Sequence, residues 1–180
     1  MNKLLWIDME MTGLEVEHEV IIEVAAIVTD LDFRELDSLD IVVKQPQHYL
    51  DNMDEWNTEH HTKSGLAAKV PNGTDPEVAE ARLVDFVKKH FPNPKDKPIL
   101  AGNSIHQDRL FIDKYMPMFA EKLHYRMVDV SSWKVIMREK LGFTYQKHNQ
   151  HRALDDIRES IQELRTYVSF VHIPPGDTPS

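Results

Sequence analysis

Two carboxylates stand two residues apart among apolar neighbours: Asp8 and Glu10, beside Trp6, Ile7 and Met9. In a strand, a period of two puts both side chains on one face of the sheet. Acids sharing an apolar face repel and resist ionisation unless positive charge lies between them. A divalent cation bound through oxygen ligands would supply that charge; a solvated strand end with both acids in water is the alternative. Asp108 follows Gly102-Asn103-Ser104-Ile105-His106-Gln107, which reads as a strand end turning into a helix. An acid in that first turn either complements the helix dipole or joins a metal site. His151 and Asp156 frame the stretch His-Arg-Ala-Leu-Asp-Asp. A five-residue step on an ideal helix rotates about 500°, leaving the two about 140° apart. They converge only if His151 precedes the helix and Asp156 lies in its first turns, with Asp155 turned elsewhere to charge the helix start. The alternative for His151 is a surface histidine beside Arg152. Taken together, carboxylates from separate segments with a nearby histidine suit a pair of hard cations, roughly 3.5–4 Å apart, clamping both oxygens of an in-line phosphoryl displacement. Histidine is the side chain that can take a proton from the attacking water near neutral pH.

The elements that must position these groups follow from the pattern. Leu4–Met9, Val20–Thr29 and Asp40–Lys44 read as strands, the last ended by Gln45-Pro46, and Asp30–Arg34 as a turn. Short connections favour antiparallel neighbours. Asp51–Leu66 is polar, carries Trp56 and the pair His60-His61, and reads as short helices and loops. Asp75-Pro76-Glu77 has the form of an N-cap, a Pro at the first helical position and an acid in the first turn. Val78, Ala81, Leu83, Val84, Phe86 and Val87 then give a helical apolar face up to Phe91. Ile99–Ala101 is a brief strand, and 107–116 a helix with Leu110, Phe111 and Tyr115 inward. Met127–Val130 is a strand; Ser131 or Ser132 caps a helix to Leu141, stopped by Gly142. A last helix spans 153–170, with Ile157, Ile161, Leu164 and Val168 on its apolar side, before a Pro-rich tail. The sum is a mixed sheet covered by helices in a single α/β domain.

Composition narrows the function. The 180 residues carry 21 Lys plus Arg against 30 Asp plus Glu, a formal net charge of −9. A basic stripe tracking long nucleic acid by counterion release is therefore not expected. If the partner is a polyanion, it is short or cations bridge it. With 0 Cys, thiolate metal sites, disulfides and cysteine nucleophiles are excluded. That composition fits a reducing compartment. No apolar run approaches the roughly 20 residues of a membrane span, and acid arrives at Asp8, too early for a signal peptide.

Asp8-Met9-Glu10-Met11-Thr12-Gly13-Leu14, Gly102-Asn103-Ser104-Ile105-His106-Gln107-Asp108 and His151-Arg152-Ala153-Leu154-Asp155-Asp156 resemble, in order, the three motifs of the DEDD exonuclease superfamily, in its histidine-containing variant. Nearly the whole chain, from Leu4 to Tyr167, is similar to the oligoribonuclease family. WIDMEMTGL, WNTEHHTKSG, GNSIHQDRLFIDKYMP, HYRMVDVS and HRALDDIRESI carry that likeness. The resemblance implies a ribonuclease H-like fold, a mixed five-stranded sheet flanked by helices, with one exonuclease domain over 1–171 and a flexible tail at 172–180. It implies 3′-to-5′ hydrolysis of very short RNA, dinucleotides favoured, to 5′-mononucleotides by two divalent cations, Mg²⁺ or Mn²⁺. Asp8, Glu10, Asp108 and Asp156 become metal ligands and His151 the general base. Leu14 and Trp56 match positions that wedge and stack bases; Ser104, Arg126 and His61 match positions that hold the terminal phosphate. Tyr125 matches a tyrosine that the second subunit of a homodimer adds to that phosphate site. The partners implied are short RNA and a second copy of the chain, with no membrane and no long duplex nucleic acid. The compartment implied is the cytoplasm, or the mitochondrion for a eukaryotic source with a targeting segment. On the acids alone, two rival readings stay open: an exonuclease acting on DNA or longer strands, and a non-catalytic RNA-binding module on the same fold.

Overall fold

The central strand β1 (Lys3–Met11) is apolar on both faces until Asp8, as a strand covered on both sides must be. In the computed structural model, which describes residues 2–146 and 153–172, β1 pairs antiparallel with β2 (Ile21–Asp30). Strand β2 pairs antiparallel with β3 (Glu35–Val42). On its other side β1 runs parallel to β4 (Leu100–Gly102), and β4 to β5 (Met127–Asp129). The sheet order is β3-β2-β1-β4-β5, the mixed five-stranded arrangement expected. The helices are α1 (Gln47–Asp51), α2 (Glu55–Lys63), α3 (Pro76–His90), α4 (Ile105–Tyr115), α5 (Pro117–Ala120), α6 (Val130–Leu141) and α7 (Ala153–Ser169).

Alternation along β1 divides the core. Leu5, Ile7 and Met9 face a cluster with Leu83 and Phe86 of α3, Phe111 and Ile112 of α4 and Phe119 of α5. Leu4 and Trp6 face the opposite cluster, with Met137 of α6 and Ile157, Ile161, Leu164 and Tyr167 of α7. The Trp6 indole, wholly buried, donates from Nε1 to Thr29 Oγ1 at 3.0 Å, so its one polar atom is satisfied. Asp8 and Glu10 continue the Trp6 face beyond the apolar packing of α7. Their environment therefore follows from the register of a single strand.

Several local expectations shift. Strand β3 begins at Glu35, five residues before the expected Asp40, because its first half is an exposed edge with no apolar run to mark it. Asp75 sits at the α3 N-cap without a side-chain cap bond; its carboxylate lies 3.7 Å from Lys44. On α3 Val78 and Ala81 are exposed and Ala79 is buried; on α4 Leu110 is exposed and Ile112 buried; on α7 Tyr167 is buried where Val168 was expected. Periodicity locates an apolar stripe but not which of two adjacent residues is at its centre. The cap of α6 is Asp129, accepting from Ser131 N, rather than Ser131 or Ser132. Gly142 ends α6 in the left-handed region, φ 64°, as a C-terminal glycine should. The tail from residue 173 and His151 lie outside the described residues.

Candidate active site

Asp8 and Glu10 of β1 and Asp156, in the first turn of α7, place one carboxylate oxygen each within 4.8 Å of one another. These three expected ligands come together, each half-buried. Asp155, the next residue on α7, turns away to Arg158, 3.2 Å from Nη1. Burial, followed by the charges of Asp8, Glu23 and Asp156, pushes the Glu10 carboxyl up to about 8. Such crowding of partly desolvated acids is what a bound cation relieves, and the donor set, all oxygen, fits a hard divalent ion.

Asp108 enters from α4 and is buried to 6% exposure. The reason lies in β4. That strand stops at Gly102, where a Cβ would come within 2.8 Å of the Ile7 carbonyl, and the chain turns into α4. Beyond that point Met9 N–H needs another partner, and Asp108 Oδ1 accepts it at 2.9 Å. Burial and then the Asp8 charge hold the Asp108 carboxyl well above its ordinary range, with Glu10 adding to the effect. One oxygen of Asp108 is thus committed to the fold, and Asp108 stands outside the group of three acids whose oxygens lie within 4.8 Å of one another.

His61, on α2, is 1% exposed. Its Nε2 lies 2.9 Å from the Met11 carbonyl, which can only accept, so Nε2 carries the proton and Nδ1 the lone pair. Nδ1 is 4.0 Å from Glu10 Oε2. Burial lowers the His61 pKa, keeping the ring neutral. Trp56, also on α2, is 67% exposed and stacked on His60 at 4.8 Å and 8°. Asp54 caps α2 by accepting from Asn57 N at 2.7 Å. Leu14, 70% exposed, is held through its carbonyl by Gln107 Nε2 of α4 at 2.7 Å.

Ser104 precedes α4 with φ 51°, a left-handed conformation uncommon for serine. Asp129 Oδ1 and Ser131 Oγ accept its N–H at 3.0 and 2.9 Å and hold it there, and Ser104 Oγ lies 3.1 Å from Ser131 Oγ. Arg126 is exposed, its guanidinium 5.4 Å from the centre of the Tyr125 ring; Tyr125 is itself 76% exposed.

Sequence reasoning passed over Glu23 and Asp129. Glu23 is 3% exposed and stands directly across from Glu10 in the β1–β2 ladder, just before the register shifts at Met11. Its mark was available: it is the one charged residue between Val20 and Thr29. Asp129 had no such mark, since its role at Ser104 joins segments 25 residues apart.

A family model described as Exonuclease matches residues 5–164. Exonuclease I from Methylocaldum szegediense superposes with a TM-score of 0.70 at 16% identity, covering 94% of this chain and 41% of that one. E. coli exonuclease I, solved in complex with a dT13 oligonucleotide, gives 0.69 at 14%, covering 92% and 41%. The chain spans about two fifths of the length of those structures, and the likeness shows the shared fold. Fold and family model together define an exonuclease of the ribonuclease H-like, DEDD type. Human mitochondrial oligoribonuclease is 46% identical over 172 residues, 92% of this chain and 72% of that protein. The oligoribonuclease of Francisella tularensis (strain WY96-3418) is 44% identical over 169 residues, 92% and 94% respectively. The chain belongs to the oligoribonuclease family of exoribonucleases, metal-dependent phosphodiester hydrolases.

Proposed function

We propose that this exoribonuclease removes nucleotides 3′-to-5′ from very short RNA, dinucleotides above all, releasing 5′-mononucleotides. The observation that carries the reading is the Asp8–Glu10–Asp156 cluster, with Glu10 held largely protonated until positive charge arrives. Two divalent cations, Mg²⁺ or Mn²⁺, would supply positive charge to the attacking and leaving oxygens of the displacement. Asp8, Glu10 and Asp156 would hold them, with Asp108 as the fourth ligand. Burial of Asp108 and its tie to Met9 fix that carboxyl before substrate arrives.

His151 is the general base of this reading. Trp56 and Leu14, both exposed, offer flat and apolar surfaces to bases of any identity, so sequence preference should be low. Ser104 and Arg126 would receive the terminal phosphate; Arg suits it because its planar fork donates two charge-assisted hydrogen bonds. His61 would join them only once Nδ1 is protonated, since the neutral ring carries a lone pair there. A phosphate enclosed in this way limits length, since a longer strand has nowhere to continue. Tyr125, exposed beside the edge strand β5, would reach the phosphate site of a second copy in a homodimer. One exonuclease domain over residues 1–171 suffices for all of this. A reducing compartment, the cytoplasm or a mitochondrion, suits the cysteine-free chain. No helix among the described residues is long and apolar enough to cross a membrane.

The test is a comparison of a labelled RNA dinucleotide with a twenty-mer, each with and without chelator. Faster turnover of the dinucleotide, abolished by chelator and by His151→Ala, is expected. A preference for the twenty-mer would favour the processive, long-strand rival; no turnover with either Mg²⁺ or Mn²⁺ would favour a binding module.

A further inference from the structure

A second set of ligand atoms lies beside the carboxylate cluster. Glu10, His60 and His61 each place one atom within 4.8 Å of the other two. This set differs in chemistry from Asp8–Glu10–Asp156: two imidazoles and one carboxylate, against three carboxylates. His61 is prepared for a metal. It is 1% exposed, and Nδ1 is buried without a hydrogen-bond partner among the described residues. Its Nε2–H is spent on the Met11 carbonyl. A ring N–H anchored on a carbonyl, leaving the opposite lone pair aimed at an acid, is the outer-shell arrangement typical of metal-ligating histidines. A buried acceptor left unpaired is otherwise costly. His60 approaches from the same helix, its ring 5.3 Å from that of His61 and nearly perpendicular to it, and stacked beneath Trp56.

We propose that Glu10, His60 and His61 form a site for one borderline divalent cation, Zn²⁺, separate from the hard-cation ligands Asp8, Asp108 and Asp156 and competing with them for Glu10. Imidazole nitrogen favours Zn²⁺ over Mg²⁺ and Mn²⁺, and three protein ligands with an open fourth position are ordinary for zinc. Because Glu10 belongs to both sets, occupancy of one withdraws a ligand from the other. Zinc would therefore act as an antagonist of the hard cations at this centre. The inference does not depend on which nucleic acid is the substrate.

Binding is read without any activity, by titrating Zn²⁺ against a chromophoric chelator with the full-length chain. One tight site per chain is expected. His60→Ala should weaken it by at least the roughly 10–100-fold that losing an outer-shell partner costs at other sites. His61→Asn should do the same, provided its thermal melt shows a folded protein; His60→Ala carries the test if it does not. Asp156→Asn should leave tight zinc binding in place, and raising Mg²⁺ should weaken it in the wild type. If His60→Ala binds zinc as the wild type does while Asp156→Asn loses it, zinc sits on the carboxylates and the proposal fails. It fails equally if Mg²⁺ has no effect, since Glu10 is then not shared. Anomalous scattering at the zinc edge from a soaked crystal should place the ion on His60 and His61; a peak between Asp8 and Asp156 alone overturns the assignment.

Discussion

At the scale of single residues, Asp108 belongs to two systems at once. Its Oδ1 completes the hydrogen bonding of β1, and its carboxyl feels the charges of Asp8 and Glu10. Substitution by Ala and by Asn should therefore separate the roles. Asp108→Ala leaves Met9 N–H buried and unpaired, a loss of about 1–3 kcal/mol. Asp108→Asn retains an accepting oxygen and should stay within about 1 kcal/mol of the wild type. Both should abolish hydrolysis; a fully active Asp108→Asn would remove this residue from the ligand set. Glu10 makes a prediction in pH. Its folded pKa, about 8, lies above the ordinary 4.5, so the fold favours the neutral acid. The resulting stability is present below pH 4.5 and is lost as pH rises through about 8, at up to roughly 1.4 kcal/mol per unit. A divalent cation displaces that proton. The rise in melting temperature on adding Mg²⁺ or Mn²⁺ should thus grow between pH 5 and 8, and a cation effect flat across that window would contradict the crowding described. Type and spacing marked the four acids as candidates, and the fold brings Asp8, Glu10 and Asp156 together; the bond that Asp108 makes was not readable. The partner of Asp108, Met9, is 99 residues away, and no local pattern records that distance.

At the scale of elements, the site is assembled from ends: the end of β1, the first turns of α4 and α7, and the flank of α2. Helix α2 is short, mostly exposed, and begins at a single side-chain cap, Asp54, yet it bears Trp56, His60 and His61. Asp54→Ala should cost about 1 kcal/mol of helix stability. Because α2 contributes one buried residue, His61, the expected effect is a raised KM for the dinucleotide with little change in kcat or global melting temperature. A fall in kcat at unchanged KM would show that α2 acts on chemistry rather than on binding. Elements with an apolar run or punctuation, such as β1, β2 and the Gly142 stop, were legible in the sequence. Strand β3 was legible only in part. Its outer half is held by polar contacts to distant groups, Asp37 to Lys89 and His90 and Glu35 to Arg158, which leave no periodic trace. Those two basic partners lower the Asp37 carboxyl to about 2, first through the bond from Lys89.

At the scale of the whole molecule, an acidic chain that degrades a polyanion must act locally. A net charge of −9 supplies no long-range attraction to RNA, so binding rests on a few donors and on cations. On the proposed dinucleotide substrate, with one or two phosphates engaged, the logarithm of affinity should fall with the logarithm of salt at a slope of about −0.7 per phosphate. KM for a dinucleotide measured from low to high KCl, at fixed Mg²⁺, should therefore change only a few-fold. A slope of several units would demand a basic track that the composition does not hold. The fold class was visible at this scale because three short-linked strands followed by alternating strands and helices admit few arrangements. The division of the core between two faces of β1 needed the structure.

The stack of Trp56 on His60 also gives the protein an optical gauge. Trp6 is sealed in the core and Trp133 is partly covered, whereas the Trp56 indole lies open on one side and against an imidazole on the other. Excitation of the chain should therefore yield one emission component that responds to quenchers in solution and dims when the neighbouring ring gains a proton. A nucleobase sliding over the open side should shield that component, and Trp56→Phe should erase the response while the emission of the other two indoles persists.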